Sequence, residues 1–437
     1  MTILNDHRRL ICFGGMALLL LVVGLFQSWN LMFQILNLCL ISAVMSLGVN
    51  IQWGYVGLFN VGVMGFAALG GLSAVLVSTK PVQEAWQAGG TNIIISLFIV
   101  LIGAGLILLA RHKLSRKAAN YFTFLLIVLT YFAARYFYIP GTKAVEAVDP
   151  ALTGFLGGLG LPIIFSWLVG GAVAGCAAWF IGKITLGLRS DYLAIATLGI
   201  SEILILTIKN EDWLARGVKN VIGLPRPVAY ERDLQASEWY VNLAETLGID
   251  LVTLSSLWVK ISYSLLFLGC LVFLLILAEL ALNSPWGRMM RAIRDNETAA
   301  HAMGKDIVAR KLQVFVLGSM VVGIGGAMLT TLDGQFTPTS YQPLRFTFLI
   351  WVMVIVGGSG NNWGAILGGF LIWFVWIEAE PVGLWLMEFI TSGMDEQSSL
   401  KQHLIRNAAY MRLLTMGLIL LVVLKYFPKG LIPEGTK

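Results

Sequence analysis

Cysteine, histidine and charge are all scarce in this chain: 437 residues contain four cysteines and four histidines. Cys12, Cys39, Cys176 and Cys270 each sit in an apolar run with no CxxC or Cys/His spacing, which argues against a disulfide framework and a zinc-type centre and leaves them as small core residues. His7, His112, His301 and His403 are scattered over loops, too far apart to suggest a metal cluster. Charged residues are 12% of the chain, against about 25% in an ordinary soluble domain, which excludes a solvated globular protein. No GxxxxGK(S/T), HExxH, GxSxG or GxGxxG motif occurs, so no ATPase, protease, hydrolase or dinucleotide site is visible. The chain is expected to be non-catalytic and to bind no cofactor or metal directly. A net charge of +6 would suit nucleic acid, but the basic residues lie in short loops beside apolar spans and form no stripe interleaved with aromatics.

Long apolar runs are what the chain does have: 57% of its residues are hydrophobic. Candidate spans fall at 10–26, 31–50, 55–79, 92–110, 121–138, 161–182, 192–209, 258–282, 311–332, 346–357, 363–377 and 412–427, about twelve in all. Arg8-Arg9 before the first run looks like a signal sequence, but Gln27-Ser28-Trp29-Asn30 offers no small-x-small cleavage site, so the run reads as an uncleaved span. The pair between Phe346 and Ile377 is short and is expected to form two short or broken helices around Gly357-Gly358-Ser359-Gly360. The predicted fold is an all-α polytopic membrane protein in which residues 1–437 form one transmembrane domain.

With both termini cytoplasmic, Arg8/Arg9, Arg111/Lys113/Arg116/Lys117, Lys183/Arg189, the 283–310 loop and Lys425/Lys429 all fall on one side. That side carries more than half of the Lys and Arg, as the positive-inside rule requires. The 210–257 loop is then extracytoplasmic, a platform for an external partner or an ordered connector, with Trp239-Tyr240 suited to the headgroup level. Val382–Ile390 is expected to be interfacial.

The stretch Asn283 to Gly304 is basic and helix-capable. Ser284 can cap a helix, Pro285 suits its first turn and Gly304 can stop it. Arg288, Arg291 and Arg294 recur at helical spacing, while Ala292, Ala299, Ala300 and Ala302 keep the segment slim enough for a partner's groove.

Forty-seven glycines are richest between Gly54 and Gly65, where a helix can break and direct freed backbone groups at a solute. Gly57, Asn60 and Gly62 are therefore candidate pathway residues, while Gly171/Gly175 and Gly364/Gly368 read as close-packing pairs. Glu202 is the clearest ionisable residue inside a span. It must face a partner, water or solute, or be protonated, because lipid offers its charge nothing; a pathway role and a structural hydrogen bond are both open.

These pieces resemble the inner-membrane permease subunit of branched-chain amino acid (LivM-like) ABC transporters. The resemblance rests on Gly54-Tyr55-Val56-Gly57 with Gly62, on Leu188 to Leu198 with Glu202-Ile203, and on Ile222-Gly223-Leu224-Pro225-Arg226-Pro227. It continues through Gly287-Arg288 and Arg291 to Glu297 with Ala299-Ala300 and Gly304, then Gly325-Gly326-Ala327, Val356-Gly357-Gly358-Ser359-Gly360 with Trp363-Gly364, and Phe427-Pro428-Lys429-Gly430-Leu431. It implies that Arg291, Arg294, Glu297, Ala299, Ala300 and Gly304 belong to an ATPase-coupling loop, and that Gly57, Asn60, Gly62, Thr197, Glu202 and Gly358 line a translocation pathway. It further implies a homologous second permease subunit, two ATP-binding subunits that supply the ATP chemistry, and an extracytoplasmic solute-binding protein at a bacterial inner membrane. Asn60-Val61-Gly62-Val63 stands where many relatives read Ser-Leu-Gly-His, and the hydrophobic pair at 92–138 is an addition to the family's length. The expected function is a permease for a small polar solute, most simply a branched-chain or related amino acid, by ATP-driven alternating access. An ion-coupled carrier using Glu202, or an integral membrane enzyme, are the alternatives.

Overall fold

The computed structural model describes residues 2–150, 153–395 and 398–434; the rest of the expected 1–437 domain lies outside the described residues. Twelve helices match the twelve apolar runs: α1 (Thr2–Phe26), α2 (Trp29–Val56), α3 (Val63–Ser78), α4 (Thr91–Lys113), α5 (Arg116–Glu146), α6 (Phe165–Thr185), α7 (Ser190–Asn210), α8 (Leu251–Asn283), and, after the short α9 (Pro285–Asp295) and α10 (Glu297–Ala302), α11 (Ile307–Asp333), α12 (Pro343–Gly357), α13 (Asn362–Ile390) and α14 (Met411–Tyr426). Among the described residues ten are long and apolar enough to cross a membrane, while α3 and α12 are shorter apolar helices. The protein is an all-α, multi-pass membrane protein.

Three boundaries moved. The second run continues to Val56, so the third begins only at Val63, after a break. The eighth begins at Leu251 rather than 258. Val382–Ile390 is not a separate interfacial piece but the continuation of α13 past Pro381. At ~1.5 Å per residue α13 is about 43 Å long, more than the ~30 Å hydrocarbon slab needs.

Helix α2 is the centre of the bundle: 78% of its most apolar stretch is buried, against 17% for the segment that ends in α4 and 11% for α5. Around it pack α1, α8, α11, α12 and α13, and α3 and α6 pack on the far side of α11 and on each other. Glycine sets the spacing where α2 crosses α11. A Cβ on Gly48 would lie 2.7 Å from the Gly318 carbonyl oxygen, and one on Gly318 would lie 2.6 Å from that of Gly48, so no side chain fits between the backbones. The expected packing pairs are of the same kind, Gly171 and Gly175 against Ile324 and Met320 on α11 and Gly364 against the Gly357 carbonyl. The α4–α5 hairpin stands at the periphery, its faces crowded with exposed Leu, Ile, Phe and Tyr, as suits a surface wetted by lipid tails.

At one end of the bundle the 210–257 loop folds into short helices and one strand, β1 (Val221–Ile222), which pairs antiparallel with β2 (Gln335–Phe336) after α11. This ties the loop to the spans, as an ordered connector would. Trp239 is exposed, but Tyr240 is fully buried beside Trp258 and does not rest on headgroups. Cys176 is likewise exposed on α6 rather than in the core.

Candidate functional site: two broken helices joined to a basic loop

The break after α2 is built by Gly57. Its φ of +73° closes the helix in the left-handed region, where a side chain would be strained. Its N–H donates to the Trp53 carbonyl at 2.8 Å and the Leu58 N–H to that of Gln52 at 3.0 Å. The chain then runs unhelical to Gly62 and is held by side chains. Asn60 is buried; its Nδ2 donates to Gln52 Oε1 at 2.9 Å, its Oδ1 accepts from the Gly62 N–H at 2.8 Å, and its backbone carbonyl accepts from Trp351 Nε1 at 2.9 Å. Thr197 Oγ1, on α7, accepts from the Val61 N–H at 3.1 Å. Gly57, Asn60, Gly62 and Thr197 thus form one constellation. In this conformation the Asn60 carboxamide is occupied in bracing the break.

The second break, Gly358 to Asn361 between α12 and α13, lies against the first. The Gly360 N–H donates to Asn50 Oδ1 at 2.9 Å, and Asn50 Nδ2 donates to Asn362 Oδ1 at 3.0 Å, an oxygen that also accepts from the Tyr55 hydroxyl at 2.7 Å. Asn362 Nδ2 in turn donates to Glu279 Oε1 at 3.1 Å, carrying the network onto α8. The tail after α14 lies across this break, with the Leu431 and Ile432 N–H groups donating to the Val356 and Gly357 carbonyls at 2.8 Å each. Asn50, Tyr55, Gly360 and Asn362 are buried, and the bonds made among them replace ones that lipid cannot supply.

The basic loop meets both breaks. Ser284 caps α9 by accepting from the Gly287 N–H at 3.3 Å, with Pro285 in the first turn, and Gly304 turns the chain at φ +74°. The single helix expected over 283–304 is split, however, because Asn296 leaves helical geometry and caps α10, accepting from the Ala299 N–H at 2.9 Å. Gly287, Met290 and Ile293 form the buried face of α9.

Arg291 and Arg294 flank that face and turn inward. Arg294 Nη2 pairs with Glu434 Oε2 at 2.9 Å, its Nη1 donates to the Gly54 carbonyl, and Arg291 Nη1 lies 3.8 Å from Glu434 Oε1. The Arg294 stem lies beside Gly57; a Cβ there would sit 3.6 Å from its Cγ. Glu297 is outward but tied to Lys311 at 2.7 Å. Ala299 and Gly304 are exposed and Ala300 is half-buried, with Met303 79% exposed among them.

Glu202 is not part of the constellation. Thr197, Ser201, Ile205 and Ile208 mark the buried face of α7, and Glu202 lies about a quarter turn from it, exposed. Carboxylates that do lie among the helices include Glu279, above, and Glu378, buried on α13 and accepting from Gln27 Nε2 at 2.8 Å. The sequence reading passed over Asn50, Asn362, Glu279 and Glu434. The polar residues Asn50, Gln52 and Tyr55, close together at the end of an otherwise apolar run, were the available signal; Glu434 had none. Among the described residues no group of histidine, cysteine and acidic side chains could hold a metal.

The comparisons follow the same lines. The family model described as branched-chain amino acid transport system / permease component matches residues 31–424. Among curated proteins, the chain is 28% identical over 247 residues to the Methanocaldococcus jannaschii protein named Probable branched-chain amino acid transport permease protein LivM, covering 56% of this chain and 61% of the relative. It is 28% identical to the high-affinity branched-chain amino acid transport system permease protein LivM of Escherichia coli K12, over 53% of this chain and 54% of that one. A more distant likeness, 25% identity over 37% of this chain and 40% of the relative, is to the xylose transport system permease protein XylH of Escherichia coli K12. The matched stretch thus spans little more than half the length of the LivM relatives. No solved structure matches. With a match that runs from α2 to α14 and takes in both breaks and the basic loop, the chain belongs to the family of branched-chain amino acid transport permease components.

Proposed function

We propose that this chain is the permease subunit of an ABC importer of a bacterial inner membrane, forming half of the pathway for a small polar solute, a branched-chain or related amino acid. A homologous second permease subunit supplies the other half, two ATP-binding subunits hydrolyse ATP, and an extracytoplasmic solute-binding protein delivers the solute. The permease itself is non-catalytic and meets ATP only through its partners.

The observation that carries this reading is the tie from the loop to the break: one residue of α9, Arg294, holds both the Gly54 carbonyl at the end of α2 and Glu434 on the tail over the second break. The exposed side of the same loop, from Ala299 to Gly304, is free to receive an ATP-binding subunit. Closure of the ATP-binding pair shifts the permease between two states only if its contacts differ between them. A displaced α9 changes the Arg294 contacts first, and with them the ends of α2 and α12. Gly57, Asn60, Gly62, Thr197 and Gly358 then act as the inner gate. Glu202, on the outer face of α7, meets the second permease subunit across the pathway, where a carboxylate finds the polar surroundings that lipid denies it.

The test is ATP-dependent leucine uptake in vesicles holding all subunits. Gly304→Pro and Ala300→Trp are expected to abolish uptake or release the ATP-binding subunits while the permease stays folded. Uptake at the unaltered rate in both variants would reject the coupling role. Uptake that follows an ion gradient with no ATP-binding subunit present would reject the importer itself.

A further inference from the structure

At the end of the bundle away from the basic loop, a cavity of about 240 Å³ opens among α2, α3, α11, α12 and α13. It would hold about eight waters at their liquid volume and is smaller than the ~300–1,000 Å³ of pockets for drug-sized ligands, so its size suits a small solute. Its wall is hydrocarbon and thioether, with Met45 on α2, Met64 at the start of α3, and Ile350 and Met353 on α12. Asp333, Ser42 and Ser340 interrupt it, as does the indole of Trp373, whose buried Nε1 makes no hydrogen bond with any described residue. Asp333, the last residue of α11, lines the cavity beside the strand pair at this end as an exposed residue and makes no ion pair or hydrogen bond with any described residue. Ser42 is 5% exposed, in the middle of α2, and its hydroxyl likewise makes no hydrogen bond.

At the same end Thr330 and Tyr341 share a hydrogen bond at 2.9 Å, and Trp167 Nε1 donates to Thr331 Oγ1 at 3.1 Å. Burial pushes the Tyr341 phenol above its ordinary value, so it stays protonated. A carboxylate that borders an apolar cavity and is still reached by water keeps its negative charge and attracts a cation seated in that cavity. Among the described residues no side chain supplies one.

Resting on the permease reading above, we propose that this cavity is a solute site within the subunit, in which Asp333 receives the primary ammonium of an aliphatic amino acid. Ser42 offers a hydroxyl deeper in the cavity, and the three methionines with Ile350 enclose the hydrocarbon side chain. The thioethers adapt to branching at either the β or the γ carbon, as flexible methionine does elsewhere. The first turn of α12, which begins at Pro343 and contributes Phe346 to the wall, brings unbonded N–H groups to the same end for the solute's carboxylate. The site lies between the outer end and the Asn60 brace, so a solute seated there waits above the closed inner gate.

The probe is a cysteine on the cavity wall, Met64→Cys, in the full chain with its four native cysteines replaced by serine, in sealed membrane vesicles. Labelling by the cationic 2-aminoethyl methanethiosulfonate is expected to be about tenfold faster than by the anionic 2-sulfonatoethyl reagent. L-leucine and isoamylamine should slow it, and isovalerate, which has no amine, should not. Asp333→Asn should abolish both the charge preference and the protection, and Asp333→Glu should restore them, which separates the effect from misfolding. Equal labelling by both reagents, a preference that survives Asp333→Asn, or protection by isovalerate as strong as by isoamylamine would each overturn the proposal. Leucine uptake measured on the complete assembly reports separately: if uptake is absent while amine protection at Asp333 is present, the importer reading falls and the ammonium site stands.

Discussion

Helix α2 and the α4–α5 hairpin invert a common intuition about apolar sequence. The segment Gln83–Lys113, which ends in α4, has a best-window mean hydropathy of 3.1 and is 17% buried within the protein, while α2 has 1.9 and is 78% buried. The more apolar segment faces lipid, and the more polar one is the core. In a membrane the hydrophobic effect drives a helix into the bilayer but not against its neighbours, so packing depends on small residues and on hydrogen bonds. Helix α2 has both, Gly48 against Gly318 and Asn37, Ser46, Asn50 and Gln52 bonded to surrounding helices.

The largest expected effect tests this contrast directly. Gly323→Leu drives a side chain into α6, where a Cβ would already lie 2.7 Å from the Gly170 carbonyl oxygen; it should cost about 3 kcal/mol or more and deplete folded protein on detergent size exclusion. Gly105→Leu, on α4 with nothing within 4 Å, should leave the profile unchanged. Equal losses would mean that the hairpin is as tightly packed in the membrane as the core. Arg294→Ala comes next. It removes the partner of Glu434 and of the Gly54 carbonyl and should lower ATP-dependent uptake tenfold or more at near-normal expression; Glu434→Gln, which keeps the shape, should lower it less. Asn296→Ala removes the cap that separates α10 from α9 and should cost about 1 kcal/mol, read as faster amide exchange over 297–302. The smallest effect is on Glu202. Glu202→Gln should leave the size-exclusion profile of the permease alone unchanged yet reduce uptake by the assembly, and Glu202→Cys should cross-link to the second permease subunit. Uptake at the unaltered rate and no cross-link would place Glu202 against lipid.

The ten spanning helices and the two shorter apolar ones were legible because a long apolar run has few uses other than crossing a bilayer, and the break at Gly57 was legible in the density of glycine. The arginines of the loop were expected in a segment that couples to an ATPase; Gly287, Met290 and Ile293 bury a narrow face, and Arg291 and Arg294 on its borders are carried inward with it. Glu202 stood out because it lies mid-span. Its neighbours Thr197, Ser201 and Ile205 already marked the buried face, about a quarter turn away from it. What no local pattern could show was that residues near 54, 294, 360 and 434 meet, because contacts so distant in sequence are set by the crossing of whole helices.

The clamp at Glu434 also has a consequence for biogenesis. It lies beyond α14, and the chain is made from its N-terminus, so Arg291 and Arg294 are in place well before their carboxylate arrives. Until then the basic loop is untied from the tail and the second break is uncovered. A newly inserted chain therefore has two distinguishable stages, bundle formed and bundle latched, and a partner that docks on the loop has a physical way to tell an unfinished permease from a finished one.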